Sequence, residues 1–364
     1  MKNRFLLCIA FAFFSLYSSR QNTGLAKGTN TADLIWESTN FPATVRIRKL
    51  IVHPSDPHML FAVVENGDYA GLWKRTDGGN WVKKFPLNSI SNNTWDVSVD
   101  ICNPQKIYIG IDNTVRWSND YGESGFDTNK YTFGDFDHVM AVAACNNKII
   151  VGIDWFDRDK IRISEDGGII FSSDKIDRLA ANSFWRIAFD PNDPNHNRAF
   201  FAHESMGIFK STDHGNTWVQ KNDTLPPCLT GIYIPDIIFN DVSIIITVNS
   251  CMTHGIYKST NQGETWFPIN SAFQGTNTSA IKFDTLNHIY VGTNNQGSLT
   301  AKGVYYSENG GIDFVDMNNG LIGNLNIHDL AYGDWVLYAA TDAGVWQCLM
   351  PQLSNKNYLP YVIR

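Results

Sequence analysis

Carboxylates and aromatic side chains are concentrated in one short segment, Asp154-Trp155-Phe156-Asp157-Arg158-Asp159. Aromatic rings stack on sugars, and carboxylates bind sugar hydroxyls or hard cations. Two further segments, Tyr131–His138 and the pair His203-Glu204, are expected on the same face of the fold. The candidate ligand-binding residues are therefore Asp154, Trp155, Asp157, Arg158, Asp135, Asp137, His138, His203 and Glu204. In the alternative interpretation, the acids crowd an exposed loop and Trp155 packs between sheets.

The sequence assigns no catalytic residue. Asp68, Asp112, Asp154 and Glu204 are available carboxylates, but no motif selects a pair of them for acid–base chemistry. The nine histidines are scattered, without an H-x-x-x-H or C-x-x-C spacing, and there is no G-x-S-x-G motif. We therefore expect no metal and no cofactor, and we favour a protein that is not an enzyme.

A short pattern recurs along the chain and predicts the fold. The sequence reads GIFKSTDHGNTW from Gly207 and GIYKSTNQGETW from Gly255. When the weaker copies are included, the marker serine or its replacement falls at positions 75, 118, 164, 211, 259, 307 and 348, with spacings of 41 to 48 residues. A period in this range is typical of propellers and solenoids.

The local chemistry of each repeat favours strands. Each copy begins with alternating apolar and polar residues, which is the period of a half-buried strand. The S-x-D-x-G segment that follows is typical of a tight turn, because Asp accepts backbone N–H groups and Gly adopts positive φ. Two more strand-like runs precede each copy. We predict an all-β fold, a single seven-bladed β-propeller of four-stranded antiparallel blades.

The ends of the chain predict how the ring closes. The last repeat lacks its fourth strand, and residues 34–38 resemble the fourth strands found elsewhere, so we expect them to pair with residues 344–348. Lys2 and Arg4 precede an apolar run from Phe5 to Tyr17, which is typical of a secretory signal. The expected domains are a signal peptide (1–26), the propeller (27–350) and a short tail (351–364).

The repeat resembles the Asp-box, or BNR, repeat. The segment Ser211–Trp218 matches S-x-D-x-G-x-T-W at every fixed position. The resemblance implies structural turns at Asp77, Asp120, Asp166, Asp213, Asn261 and Asn309. Over almost the whole chain after the signal, the sequence is similar to exported propellers of the WD40/YVTN/BNR-like group. These include the sortilin (VPS10) ectodomain and, more distantly, the photosystem II assembly factor and xyloglucanase propellers.

The resemblance leaves several functions open. A sialidase would need three arginines drawn from early and late blades, and no arginine lies between Arg198 and Arg364. Xyloglucanases place their cleft between two propellers, and only one is expected here. We therefore favour a non-catalytic recognition module for a protein, peptide or glycan. The alternative is a glycoside hydrolase with a carboxylate pair on the loop face.

Composition limits the partners. The net charge is −7, and removing residues 1–26, with three basic and no acidic residues, makes it −10. Such a chain is a poor candidate for binding nucleic acid. No later segment approaches the ~20 apolar residues of a membrane span. We expect a monomer that is secreted or displayed at the cell surface.

Five cysteines follow the signal, so at least one thiol is not paired within the chain. Cys102 and Cys145 are expected to end the first strands of adjacent blades. Cys228 and Cys251 are expected on the opposite face. The hypothesised disulfides are Cys102–Cys145 and Cys228–Cys251, with Cys348 free.

Overall fold

The computed structural model describes residues 34–86, 93–155, 159–179, 184–229, 231–250, 254–270, 273, 275–295, 299–321, 323 and 325–351. The expected signal peptide, Cys251 and almost all of the expected tail lie outside these residues. Within them, no helix is long and apolar enough to cross a bilayer.

Seven antiparallel sheets form a ring, which confirms the seven-bladed β-propeller. The strands of blades 1 to 3 are Ile47–His53, Asp56–Val64, Gly71–Thr76 and Val82–Phe85; Thr94–Val99, Ile107–Ile111, Thr114–Ser118 and Lys130–Thr132; and Asp137–Cys145, Lys148–Trp155, Asp159–Ser164 and Ile176–Leu179. Those of blades 4 and 5 are Phe184–Phe189, Ala199–His203, Gly207–Ser211 and Val219–Gln220; and Ile232–Tyr233, Ile237–Asn240, Ser243–Ser250, His254–Ser259 and Phe267–Asn270. Those of blades 6 and 7 are Asn277–Phe283, Ile289–Asn294, Val304–Ser307 and Val315–Asp316; and Ile327–Gly333, Val336–Thr341, Gly344–Leu349 and Trp36–Ser38.

The core lies between the blades, and successive residues of one strand face different neighbours. Phe201, in the second strand of blade 4, packs in a cluster with Ile150 of blade 3. Phe200, the preceding residue, packs in a cluster with Ile246 of blade 5. Because both faces of a blade are covered, its second strand is apolar at nearly every position rather than at alternate ones.

The N-terminal strand closes the ring. Trp36, Glu37 and Ser38 pair with Cys348, Gln347 and Trp346 in blade 7, as the sequence predicts. The Trp36 indole is buried and donates a hydrogen bond from Nε1 to the carbonyl oxygen of Met317 at 2.6 Å. The first blade is thereby linked through the chain to the last, which removes an open sheet edge.

The S-x-D-x-G turns share one hydrogen-bond pattern. In blade 4, Ser211 Oγ donates to Asp213 Oδ1 at 2.8 Å and accepts the N–H of Gly215 at 2.8 Å, while Asp213 Oδ1 accepts the N–H of Thr217 at 2.8 Å. The corresponding serine-to-acid or serine-to-amide bonds are Ser118–Asp120, Ser164–Asp166, Ser259–Asn261 and Ser307–Asn309.

The glycine of the turn is needed for two reasons. Gly263 has a φ of +79°, and a Cβ there would lie 2.5 Å from the ring of Phe200 in the preceding blade. The turn therefore inserts its backbone against the neighbouring blade, where no side chain fits. The same glycine in the repeat shapes both the turn and the seam between blades.

The turn of blade 1 is built differently, because Arg75 stands where the others have serine. Its guanidinium donates to the carbonyl oxygens of Gly78 at 3.0 Å and Gly79 at 2.9 Å. In the described part of the chain, the Asp77 side chain makes no hydrogen bond. The turn expected at Asp77 is present, but arginine rather than aspartate stabilises it.

A disulfide joins Cys102 to Cys145, the pairing hypothesised from their blade positions. Cys348 is buried and free. Cys228 is disulfide-bonded, and its hypothesised partner Cys251 lies outside the described residues. The Cys102–Cys145 bond links blades 2 and 3 on the face that carries the S-x-D-x-G turns.

Candidate functional site

The first strand of every blade lines a central channel, and its regular pairing is interrupted near its start. The pairing with the second strand skips one residue in six blades. In blade 5 the first strand is split in two around Pro235. The skipped residues are Arg48, Trp95, Met140, Trp185, Ser279 and His328; the side chain of Trp185 lies outside the description. Such β-bulges re-aim side chains, here at the face where blades connect.

Charged residues of the first strands, most of them directly after a bulge, meet at the axis of the channel. The channel plug consists of Lys49, Asp96, Arg186, Asp236, Lys282 and Asp329. Arg186 of blade 4 donates from Nε to Asp236 of blade 5 at 2.7 Å, and from Nη2 to Asp329 of blade 7 at 2.8 Å. Lys282 Nζ lies 3.0 Å from Asp236, and Lys49 Nζ lies 3.0 Å from Asp96. Arg186 therefore bridges the channel.

The plug carboxylates also connect neighbouring blades. Asp329 Oδ2 accepts the N–H of Leu50 at 3.0 Å across the seam between blades 7 and 1. Asp96 accepts the N–H of Val142, and Asp236 that of Ile281, in the same way. Each carboxylate thus satisfies a backbone donor of the first strand of the next blade, which pairs with another strand on one side only.

Burial and charge act against each other in the plug. Burial disfavours the charge of Arg186, but Asp236 and Asp329 outweigh it and raise the pKa of the guanidinium. Burial alone would raise the pKa of Asp236, but Arg186 and Lys282 outweigh it and lower the pKa to about 2. Burial raises the pKa of Asp96 to about 7 against hydrogen bonds from Val142 and Val97. The charge of Asp96 is therefore less secure near neutral pH than that of Asp236.

Above the plug lies a shallow cavity that we term the channel mouth. It is lined by Arg46, Arg48, Trp95, Met140, Pro235, Ser279, Asn294 and His328, with plug residues as its floor. Below the plug lies a second cavity of about 350 Å³ with a largely aliphatic wall. Among the described residues, the plug lies between the two cavities, so the mouth is a cup with the plug as its floor.

Most polar groups at the mouth are already paired. Arg48 donates to the carbonyl oxygen of Trp95 at 2.9 Å and to Glu65 Oε2 at 3.0 Å. His328 Nε2 lies 2.6 Å from Asp342 Oδ1. Burial, and then the charge of Arg46, lowers the pKa of His328 against the contact with Asp342. Arg46 is exposed and makes no hydrogen bond or ion pair with any described residue.

Large apolar side chains are exposed on the face of the mouth. Phe136, directly before the first strand of blade 3, is 72% exposed. Leu229, in the connection from blade 4 to blade 5, is fully exposed. Tyr69, in the loop between the second and third strands of blade 1, and Leu325, in the connection from blade 6 to blade 7, are partly exposed. This face therefore combines an unpaired cation with apolar surface.

The structure brings part of the expected carboxylate–aromatic set together. His138 and Asp154 oppose each other on paired strands of blade 3, as do Asp137 and Trp155, whose side chain is not described. Asp137 is buried and lies 3.1 Å from Lys160 Nζ, which balances its charge. Asp135 is exposed in the turn before that strand. Asp157 and Arg158 lie outside the described residues.

The two residues expected at the site from blade 4, His203 and Glu204, lie in different environments. His203 is completely buried, and its Nε2 lies 2.8 Å from Asp159 Oδ2 of blade 3. A ligand on the surface does not reach this imidazole without opening the blade seam. Glu204 lies in the turn that follows, half-buried.

Sequence reasoning missed the plug, although it left a signal. One repeat position carries a charged residue followed by an apolar one in five blades: Lys49, Asp96, Arg186, Asp236 and Asp329. The two remaining blades carry Ala141 and Ala280 there. Charges of both signs at one buried repeat position indicate a paired network at the axis.

Comparisons with known proteins support the fold alone. No protein-family model and no curated protein matches the chain. A solved structure of YCF48 bound to D1 peptide superposes with a TM-score of 0.63 at 15% identity, covering 87% of this chain and 97% of that one. The Niastella koreensis GH74 enzyme gives 0.68 at 14% identity, and the Xanthomonas campestris GH74 xyloglucanase 0.64 at 14%. Each GH74 match covers 86% of this chain but 53% of the enzyme.

Proposed function

We propose that this propeller is a non-catalytic recognition module that binds a peptide or protein segment at the channel mouth. The observation that carries the proposal is the cup, whose floor is the channel plug and whose rim holds the unpaired Arg46. Because the plug lies across the channel, we expect the ligand to bind from one face. Exposed Phe136 and Leu229 on that face supply apolar contact area of the kind found at protein interfaces.

The charges at the mouth favour binding over hydrolysis. A glycosidase needs two carboxylates, one acid and one base or nucleophile, facing the substrate. Glu65 is engaged by Arg48 at 3.0 Å, and Asp342 is engaged by Asn326 and His328, both at 2.6 Å. Neither is available as a catalytic acid without breaking a short contact. The similarity to a peptide-bound YCF48 also supports a peptide ligand.

The test is a selection of random peptides against the immobilised propeller, followed by affinity measurement on the enriched sequences. Arg46→Ala should weaken their binding about tenfold or more, because a charged hydrogen bond at an interface is worth about 1.5–3 kcal/mol. Lys148→Ala is the matched control, since this lysine is half-exposed on the opposite face. Enriched peptides that bind Arg46→Ala as tightly as the wild type would exclude the mouth as the site.

A glycoside hydrolase is the second candidate, favoured by Asp112. This carboxyl lies in the turn between the second and third strands of blade 2, on the face of the mouth. Burial raises its pKa, against the N–H of Asn93 and the charge of His138. A raised pKa suits a general acid. Release of reducing ends from xyloglucan that Asp112→Asn abolishes would establish this candidate.

Glycan binding without hydrolysis would use the blade 3 residues. A glycan array probed with the wild type and with an Asp154→Ala/Trp155→Ala variant distinguishes it from peptide binding.

We also propose that the protein is exported and monomeric. The Cys102–Cys145 disulfide supports export, because such bonds persist in oxidising compartments. Cell fractionation and light scattering test these two points.

A further inference from the structure

Two cysteines and a histidine meet on the face opposite the channel mouth. Cys102 follows the first strand of blade 2, and Cys145 ends the first strand of blade 3. His196 lies in the loop that joins the first two strands of blade 4. The two sulfurs and one imidazole nitrogen all lie within 4.8 Å of one another. Residues far apart in the sequence therefore form one cluster, which explains why spacing alone did not reveal it.

The histidine of this cluster has an unused nitrogen. His196 Nδ1 is buried and has no hydrogen-bond partner among the described residues. Leaving a buried polar atom without a hydrogen bond is energetically costly, so this nitrogen calls for an explanation. A cavity of about 200 Å³ opens beside the cluster and is lined by Cys145, His196 and His214. This cavity offers a path of entry for a ligand.

The backbones that carry the sulfurs are held without the disulfide. Asp100 Oδ1 accepts the N–H of Cys102 at 2.9 Å and the N–H of Asn146, the residue after Cys145, at 3.1 Å. The N–H of Ile101 also donates to the carbonyl oxygen of Ala144 at 3.1 Å. These bonds join the two loops independently of the sulfurs. Reduction therefore leaves the two thiols side by side.

We propose that Cys102, Cys145 and His196 form a redox-gated site for a thiophilic divalent cation of the Zn²⁺ class. An external dithiol supplies two electrons and two protons, which convert the disulfide into two thiols while the reductant becomes a disulfide. The cation then displaces the two thiol protons and binds both thiolates and the imidazole. Water completes a tetrahedral set.

The donor set and the surroundings suit this cation. Two thiolates with one or two imidazoles are typical zinc ligands, and Zn–S distances of about 2.3 Å place tetrahedral sulfurs about 3.7 Å apart. Lys148, which lines the same cavity, is neutralised by Glu165 at 2.7 Å, so its charge does not oppose a cation. In the oxidised protein the sulfurs are bonded to each other, and the site is closed.

The experiment is a Co²⁺ titration of the full chain after reduction and removal of the reductant under anaerobic conditions. The reduced wild type should develop thiolate-to-cobalt charge-transfer absorption that Zn²⁺ abolishes, and the oxidised protein should not. A Cys102→Ser/Cys145→Ser variant gives the background from the other cysteines. His196→Asn should weaken binding about tenfold or more, whereas His58→Asn, a change at an exposed histidine of blade 1, should leave it unchanged.

A second readout needs no variant. Mass-spectrometric mapping of alkylated thiols in the reduced wild type should show Zn²⁺ protecting Cys102 and Cys145. Cobalt absorption no greater than that of the double-serine background would overturn the proposal. Equal affinity in His196→Asn, or alkylation of both cysteines unaffected by Zn²⁺, would also overturn it.

Discussion

Removing Arg186 should destabilise the propeller more than removing any exposed basic residue. Its guanidinium makes two charged hydrogen bonds, at 2.7 Å to Asp236 and 2.8 Å to Asp329, and both carboxylates are almost fully buried. Each such bond is worth about 1.5–3 kcal/mol, so losing both would lower the free energy of unfolding of Arg186→Ala by about 3–6 kcal/mol. Lys282 remains 3.0 Å from Asp236 and 3.9 Å from Asp329, so its positive charge still offsets part of the charge of the two carboxylates. We therefore expect a loss of about 3–4 kcal/mol, within the range for breaking a buried ion pair.

The assay is urea unfolding of the wild type and of the single and double variants at Arg186 and Asp329. Lys148→Ala is the control, because the pair that it removes is exposed at Glu165 and should cost less than about 1 kcal/mol. Arg186→Ala/Asp329→Ala should be less destabilised than the sum of its single variants, since the double variant leaves no unpaired Asp329. A loss below about 1 kcal/mol in Arg186→Ala, or strict additivity, would refute a structural role for the bridge.

Three further predictions concern the turns, the closure and pH. Gly263→Ala should lower the free energy of unfolding by about 2–4 kcal/mol, because positive φ and contact with Phe200 both penalise a Cβ. Gly310→Ala is the control: its φ is +72°, but a Cβ there would meet no atom within 4 Å, so it should cost about 1–2 kcal/mol. Trp36→Ala should cost about 3–5 kcal/mol in the same urea assay, because it empties a buried site in the closing strand. The folded-state pKa of Asp236 is about 2, below the ~3.9 of an unfolded chain, so its contribution is complete above about pH 4 and is lost as pH falls towards 2. Asp236→Asn should therefore flatten the acid limb of stability measured by urea unfolding between pH 5 and 2.

The fold could be predicted because the repeat encodes it locally. Ser211, Asp213 and Gly215 specify a turn through bonds within five residues, and similar turns recur around the ring. The closing strand could be predicted because the last repeat lacks a fourth strand of its own. Both features depend on neighbours in the sequence or on the count of repeats, and neither needs knowledge of side-chain packing at the axis.

The site could be predicted only in part, because it forms between blades. His203 was expected on the ligand face, but it is buried in contact with Asp159, which belongs to another blade. Arg46 carries no motif, and its importance arises from the bulges that surround it and the plug beneath it. Long-range pairs such as Arg186 with Asp329 require the ring itself to be known.

The position of a bound peptide is the most direct test of the central claim. A peptide from the selection, carrying a photoreactive benzophenone, is cross-linked to the wild-type chain, and the adducts are mapped by mass spectrometry. Recognition at the channel mouth predicts adducts on Arg48, Trp95, Met140 or His328, competed by unlabelled peptide. Competed adducts confined to the outer strands or to the face of the S-x-D-x-G turns would contradict it.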